Sequence, residues 1–307
     1  MFNLLLYPQL SHALDVLDWR TEILDKAMNI FKEKVAVITG GASGLGYAMA
    51  SRFLKEGMRL VIADIEEPRL QSAVRQLRDA GGKVLGVKCD VSQGSDVENL
   101  AKKTLEEFGG CHIICNNAGV APSGVIWEHT TEDWQWAMGP NVWGVIHGIR
   151  VFTPILIEQN EPAHIVNTAS VSGLLSFAGM GLYCMTKHAV VTMTECLKHD
   201  LSLATELVKC SVLCPAYVPT QIAESERNRP KNLVGNRTKT DEDIARENNL
   251  RKAVSSGKIS AEAVADLVLK AIIDEKFYIL PHEKIKGAIE SRMQDILEDR
   301  TPLDTSR

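Results

Sequence analysis

The sequence predicts an α/β protein: a single domain built on a doubly wound parallel sheet of about seven strands, with helices on both faces. Two observations carry this. Short apolar, β-branched runs alternate along the chain with helix-periodic stretches of ten or more residues, the pattern of right-handed parallel crossovers. The first of these runs also leads directly into a glycine-rich turn that opens a helix.

Taken in order, Lys34 to Thr39 (KVAVIT) is apolar enough to be a strand buried on both faces. After the glycine turn, Leu45, Met49 and Phe53 repeat at four residues and predict the first helix. Gly57 stands where glycine caps a helix. Arg59 to Ala63 (RLVIA) reads as the second strand. Pro68 to Ala80 reads as a helix stopped by Gly81 and Gly82. Lys83 to Lys88 is a third strand, Asp96 to Phe108 a helix, and His112 to Cys115 a fourth strand. Ala163 to Thr168, Val208 to Leu213 and Phe277 to Leu280 supply three more. Only residues 221–259 break the alternation. Few of them are apolar and many are charged, so a lid or a disordered loop is expected there.

The catalytic domain is expected over residues 31–295, with a C-terminal tail at 296–307. Residues 1–30 form an extension. Leu10, Leu14, Leu17 and Leu24 recur in it at helical spacing and predict an amphipathic helix. No catalytic role is expected for it; docking on the body, a partner or a membrane surface is the alternative. Phe2 to Tyr7 lacks the charged leader of a signal peptide, and Met28 is an alternative start.

Composition narrows the function classes. The chain has 307 residues, 24% charged and 45% hydrophobic, with a formal net charge of -5. No Lys/Arg run or aromatic–basic interleaving points to nucleic acid as a partner. No apolar stretch reaches the roughly 20 residues that span a bilayer. The seven cysteines form no Cys-x-x-Cys pair, so neither a metal site nor a disulfide framework is expected, and a reducing, cytoplasmic compartment fits.

Residues Thr39 to Gly46 read TGGASGLG. Glycines between strand and helix allow a tight turn and let the backbone approach a pyrophosphate, which the helix N-terminus attracts. Asp64 ends the second strand, where a carboxylate can accept hydrogen bonds from an adenosine ribose diol and repel a 2′-phosphate. No basic residue lies in the turn to offset it, so NAD is expected over NADP.

The chain resembles the classical short-chain dehydrogenase/reductase family. The family's glycine pattern matches Thr39, Gly40, Gly44 and Gly46, and its Asn-Asn-Ala-Gly signature matches Asn116 to Gly119. An active-site asparagine falls at Asn141, a serine at Ser170, and the Tyr-x-x-x-Lys pair at Tyr183 and Lys187. Asp90 and Val91 match the adenine-binding pair. The similarity runs from about Lys34 to about Leu280. It implies a Rossmann-type fold, a homodimer or homotetramer, and hydride transfer between a nicotinamide and an alcohol or ketone. It also implies cofactor contacts at Gly40, Ser43, Gly44, Leu45, Gly46, Asp64, Asp90, Val91, Asn117, Tyr183, Lys187, Pro215, Val218 and Thr220.

Residues four apart share a helix face, so Lys187 can set its charge beside the Tyr183 hydroxyl. Lowering a phenol from about 10 to about 7 takes roughly 4 kcal/mol at about 1.36 per unit. Tyr183 can then act as general base or acid. Ser170, just past the fifth strand, can orient the substrate oxygen. The resemblance implies that Asn141 holds a water in a relay with Lys187; a structural asparagine at a kink beside Pro140 is the alternative. Asn116 and Asn117 are expected to brace the central strands. One departure stands out: Pro215-Ala216 replaces the family's Pro-Gly, and alanine resists positive φ.

Ala121, Trp127, Leu174, Phe177 and Tyr217 are the candidate pocket residues, and they favour an apolar or aromatic secondary alcohol or its ketone. Trp134, Trp136 and Trp143 are expected to pack in helices. The alternatives are a 3-ketoacyl thioester reductase of the same family, which Asp64 disfavours, and a non-catalytic dinucleotide sensor, which the intact set of Asn141, Ser170, Tyr183 and Lys187 disfavours.

Overall fold

The computed structural model describes residues 30–302 apart from 236 and 237. The expected amphipathic helix of the N-terminal extension and the alternative start at Met28 lie outside the described residues, as does the end of the tail.

Seven strands form one parallel sheet in the order β3-β2-β1-β4-β5-β6-β7. They are β1 Val35–Thr39, β2 Arg59–Asp64, β3 Val84–Lys88, β4 Ile113–Asn116, β5 Ala163–Thr168, β6 Val208–Leu213 and β7 Tyr278–Ile279. The expected strands hold, their ends moving by a residue or so. Helices α1 Gly44–Lys55, α2 Glu67–Asp79, α3 Gly94–Phe108, α4 Thr131–Met138 and α5 Gly144–Gln159 lead up to β5. Helices α6 Gly181–Ala204, α7 Asp241–Ser255, α8 Ala261–Ile273 and α9 Ile285–Leu297 complete the α-helices among the described residues.

The alternation of side chains along a strand explains the two layers. Ala36 and Ile38 of β1 face one cluster, with Met49 and Phe53 of α1 and Val264, Val268 and Leu269 of α8. Val35 and Val37 face the other, with Val97 and Leu100 of α3 and Phe152 and Leu156 of α5. Every residue of β1 is buried, as its uninterrupted apolar run requires. Each such Val, Leu or Phe contributes roughly 1.5–3 kcal/mol by leaving water.

β1 and β4 are neighbours although two strands, β2 and β3, lie between them in the chain. At this reversal the loops after β1 and β4 leave the sheet on opposite faces and open a crevice at its carboxyl edge. The described residues of the 221–259 segment do not form a structureless loop. Short 3₁₀ turns cover Ile222–Asn228 and Lys231–Leu233, and α7 follows. Thr240 and Asp243 close a capping box at the start of α7, with the Asp243 N–H donating to Thr240 Oγ1 at 3.2 Å. That Thr-x-x-Asp spacing is legible in the sequence and signals a helix start. The low apolar content hid it, because α7 rests on little more than Leu250 and Val254.

All seven cysteines are free and only Cys196 is exposed. Among the described residues, no helix is long and apolar enough to cross a membrane. Nor does any group of three or more His, Cys, Asp or Glu side chains among them converge as a metal site would require.

Candidate active site

A cavity of about 860 Å³ opens along the carboxyl edge of the sheet. Its floor is built from four loops that the sheet order brings together: those after β1, β4, β5 and β6.

In the first loop, Gly40 and Gly44 have φ of +62° and +54°, values that a side chain resists. Gly46 matters for space. A Cβ there would sit 2.1 Å from the Gly40 carbonyl oxygen, so the turn closes only on glycine. The first turn of α1 carries no acidic residue, and Ser43 makes no side-chain cap. Its free N–H groups thus face the cavity with their dipole uncompensated, a setting suited to an anion.

Asp64, at the end of β2, accepts hydrogen bonds from the Ala42 N–H at 3.1 Å and the Glu66 N–H at 3.0 Å. Burial lifts its carboxyl above the ordinary range, and these two donors partly offset that. Asp90 and Val91 follow β3. Asp90 accepts from the Ser92 N–H and hydroxyl, and Val91 fills the space beside Gly144. Asn117 Nδ2 donates to the Thr39 carbonyl at 2.9 Å, while Asn116 donates to Asn167 at 2.8 Å on the neighbouring strand. Both asparagines brace the strands. Asn117 in addition lines the cavity.

The remaining polar groups converge from β5 and α6. Tyr183 and Lys187 share a face of α6, with the Lys187 ammonium 5.7 Å from the Tyr183 ring centroid. Lys187 is 4% exposed and donates to the Thr168 carbonyl at 2.9 Å. Burial holds its pKa down to about 8. Burial likewise pushes the Tyr183 phenol up to about 12, and its hydrogen bond with Ser170 pulls the other way. The expected lowering of the phenol is therefore not a property of the cofactor-free pocket. Ser170 Oγ donates to the Pro215 carbonyl at 3.2 Å and accepts from the Ser172 N–H at 3.1 Å, which fixes its direction.

Asn141 sits in a π-helical turn, Gly139–Trp143, between α4 and α5. Pro140 lacks the N–H that a regular helix needs, and the widened turn absorbs the loss. The Asn141 amide clasps the Val120 backbone in both directions, at 2.8 and 2.9 Å, and donates to Thr186 Oγ1 at 3.0 Å. Thr186 in turn donates to the Tyr183 carbonyl at 2.8 Å. Asn141 thereby ties the loop after β4 to the helix that carries Tyr183.

Pro215, Val218 and Thr220 line the cavity, as do Ser43 and Leu45. At the departure from the family pattern the backbone is unstrained, since Ala216 is absent from the positive-φ residues. Its N–H is held at 3.1 Å by Nδ1 of His282, just beyond β7, a brace that no sequence pattern announced.

Of the candidate pocket residues, Ala121, Phe177 and Tyr217 line the cavity. Trp127 does not: it is 82% exposed. Leu174 packs into a core cluster with Val190, Val191 and Val212 instead. Conversely Trp136 and Trp143, expected only to pack in helices, line the cavity, together with Leu233, Leu250, Val254 and Ile285. Leu233, Leu250 and Val254 come from the 221–259 segment and Ile285 from the start of α9, too far along the chain for local patterns to place.

Comparisons with known proteins agree with this geometry. A family model described as short chain dehydrogenase matches residues 34–231. A dehydrogenase/reductase of CLA biosynthesis from Lactiplantibacillus plantarum is 36% identical over 281 residues, covering 90% of this chain and 97% of that protein. A 1-deoxy-11-beta-hydroxypentalenate dehydrogenase from Streptomyces avermitilis is 32% identical, covering 85% of this chain and 89% of its own. The crystal structure of a short chain dehydrogenase/reductase from Burkholderia phymatum in complex with NAD superposes with a TM-score of 0.88 at 50% identity, covering 89% of this chain and 98% of that one. The chain accordingly belongs to the short-chain dehydrogenase family, oxidoreductases that act on CH–OH groups.

Proposed function

We propose that this protein oxidises an apolar or aromatic secondary alcohol, or reduces the ketone, with NAD as cofactor and Tyr183 as general base or acid. One observation carries the reading. Ser170, Tyr183 and Lys187 line a single cavity together with the glycine turn, Asp64 and the apolar Trp136, Phe177, Leu233 and Val254.

The left-handed Gly40 and Gly44, and the space that Gly46 leaves, fit a dinucleotide pyrophosphate. Asp64 suits a ribose diol, which favours NAD over NADP by at least about tenfold, or about 1.4 kcal/mol. Cofactor contacts are assigned to Gly40, Ser43, Gly44, Leu45, Asp64, Asp90, Val91, Asn117, Pro215, Val218 and Thr220, which line the cavity, and to Gly46, whose missing side chain lets the turn close. When bound, the nicotinamide takes up or returns a hydride. Ser170 hydrogen-bonds the substrate oxygen and orients it. Tyr183 removes the hydroxyl proton, or returns it in reduction. Lys187 biases the phenol toward its anion, and Asn141 positions the helix that carries both. Asn141 Oδ1 and Lys187 Nζ flank Gly119, whose missing Cβ leaves room between them for a relay water.

The apolar side chains of the lining support a hydrophobic substrate. The similarity to proteins named for CLA biosynthesis and for hydroxypentalenate oxidation points the same way. A homo-oligomer is part of this reading, since α6 leaves Met185 and Leu203 exposed, the latter at 89%. So is a reducing cytoplasmic setting, which suits seven free thiols. The test is NADH absorbance across a panel of hydroxy fatty acids, terpenols, steroids, aryl alcohols and sugars, run with both cofactors. Turnover confined to the sugars would overturn the substrate class. NAD binding without turnover anywhere would favour a sensor.

A further inference from the structure

At the adenosine end of the cavity, two residues beyond Asp64, stands Glu66. It is the N-cap residue of α2, yet its side chain makes no cap hydrogen bond. It is spent on partners across the cleft instead. Arg227 donates to Glu66 Oε1 from Nη2 at 2.7 Å and from Nε at 3.1 Å, and Asn228 Nδ2 donates to the same oxygen at 2.9 Å. Arg69 holds Oε2 at 2.8 Å. Arg227 and Asn228 belong to the 3₁₀ turn after β6, some 160 residues away. Glu66 and Arg227 both line the cavity beside Asp64.

The charges decide what this does. Asp64, Glu66, Arg69 and Arg227 sum to zero, and both guanidiniums point at Glu66. Although burial lifts the Glu66 carboxyl, the hydrogen bonds from Arg227 and Asn228 bring it below the ordinary carboxylate range, so it is ionised at neutral pH. A ribose 2′-phosphate entering here would meet the Asp64 carboxylate. It would also find Arg227, the basic residue on this part of the wall, already engaged. Arg227 Nη1 stays on the Gln221 and Glu224 carbonyls at 3.1 and 2.9 Å, but without Glu66 its Nε and Nη2 would be free to make the charge-assisted contacts that recognise a phosphate.

We infer that Glu66 is a second determinant of cofactor specificity, which excludes a 2′-phosphate by sequestering Arg227 and at the same time latches residues 222–228 over the adenosine site. The inference rests on the reading that this cavity binds a nicotinamide dinucleotide. It differs from the role of Asp64 in mechanism: Asp64 repels, whereas Glu66 withholds an attracting group.

The experiment measures dissociation constants of NAD and NADP by isothermal titration calorimetry, without alcohol substrate, for the parent, Glu66→Gln, Arg227→Met and the double variant. Glu66→Gln should bind NADP about tenfold more tightly than the parent and NAD within about threefold of it, since a neutral amide no longer competes for the guanidinium. The gain should weaken with added salt. The double variant should lose it, because Arg227 is the group released. Equal changes for both dinucleotides in Glu66→Gln would mean that Glu66 only supports the fold, and a gain that survives Arg227→Met would assign it to another cation. Either result overturns the inference while leaving the cofactor reading intact. A parent that binds neither dinucleotide overturns both.

Discussion

Replacing Lys187 by Met keeps the apolar stem and removes the charge, and the structure sets how much that should matter. The phenol of Tyr183 stands at about 12 in the cofactor-free protein. A base working near pH 7 needs about five units less, roughly 7 kcal/mol at 1.36 per unit. With the ammonium 5.7 Å from the ring centroid, Coulomb's law at an effective dielectric of about 20 yields about 3 kcal/mol, or about two units. Lys187 and the Ser170 hydrogen bond are already in place at the value of about 12, so the remaining lowering falls to the positive charge of an oxidised nicotinamide. In Lys187→Met the rising limb of kcat/KM against pH for alcohol oxidation should therefore move about two units to higher pH, and activity at pH 7 should fall about a hundredfold. NADH absorbance from pH 6 to 10 reads both. The same substitution should stabilise the fold. Burial takes the lysine from 10.5 to about 8, so the unfolded chain binds the proton more readily between those values. The cost, about 3 kcal/mol, is fully present below pH 8 and is lost as pH rises toward 10.5. Urea melts should show Lys187→Met more stable than the parent at pH 7 and level with it near pH 10.5. A limb that stays within about half a unit of the parent's, in a variant that still binds NAD, would refute the electrostatic role.

Three further outcomes follow from the geometry. Tyr183→Phe keeps the ring's packing but removes the proton-transfer group; kcat should fall by roughly 10² to 10⁴ while NAD affinity, read by calorimetry, stays near parental. Gly46→Ala drives a methyl to 2.1 Å from the backbone oxygen of Gly40, so the turn must open; NAD affinity should drop at least about a hundredfold, with a lower melting temperature. His164 is buried, bonds Ser211 at 2.7 Å and has its pKa held down to about 4. Ser211 donates its one proton to the Lys276 carbonyl, so His164 is neutral with its hydrogen on Nε2. As pH falls from 6.5 toward 4 the unfolded chain takes up the proton first and the fold loses stability; His164→Asn should flatten that part of the stability–pH curve in urea melts.

Much of this protein is local enough to be read from its sequence alone. The strands announced themselves because a parallel strand buried on both faces is largely apolar, as Val35–Ile38 within β1 is. The glycine turn, Asp64 and the Tyr183–Lys187 pair depend on spacings of a few residues, set by turn and helix geometry. The helix at Asp241–Ser255 was legible in its capping box but masked by its polarity. Tertiary structure alone decided which distant segments meet. Trp127, apolar and next to the right loop, stands in solvent, while Leu250 and Val254 reach the cavity from α7. His282 braces Ala216 across 66 residues, and Glu66 engages Arg227 across 161. Burial also set the proton affinities, moving Tyr183 up and Lys187 down, whereas helical spacing predicted only their attraction. The division is physical: backbone conformation depends on near neighbours, but desolvation and long-range pairing depend on how the whole chain packs.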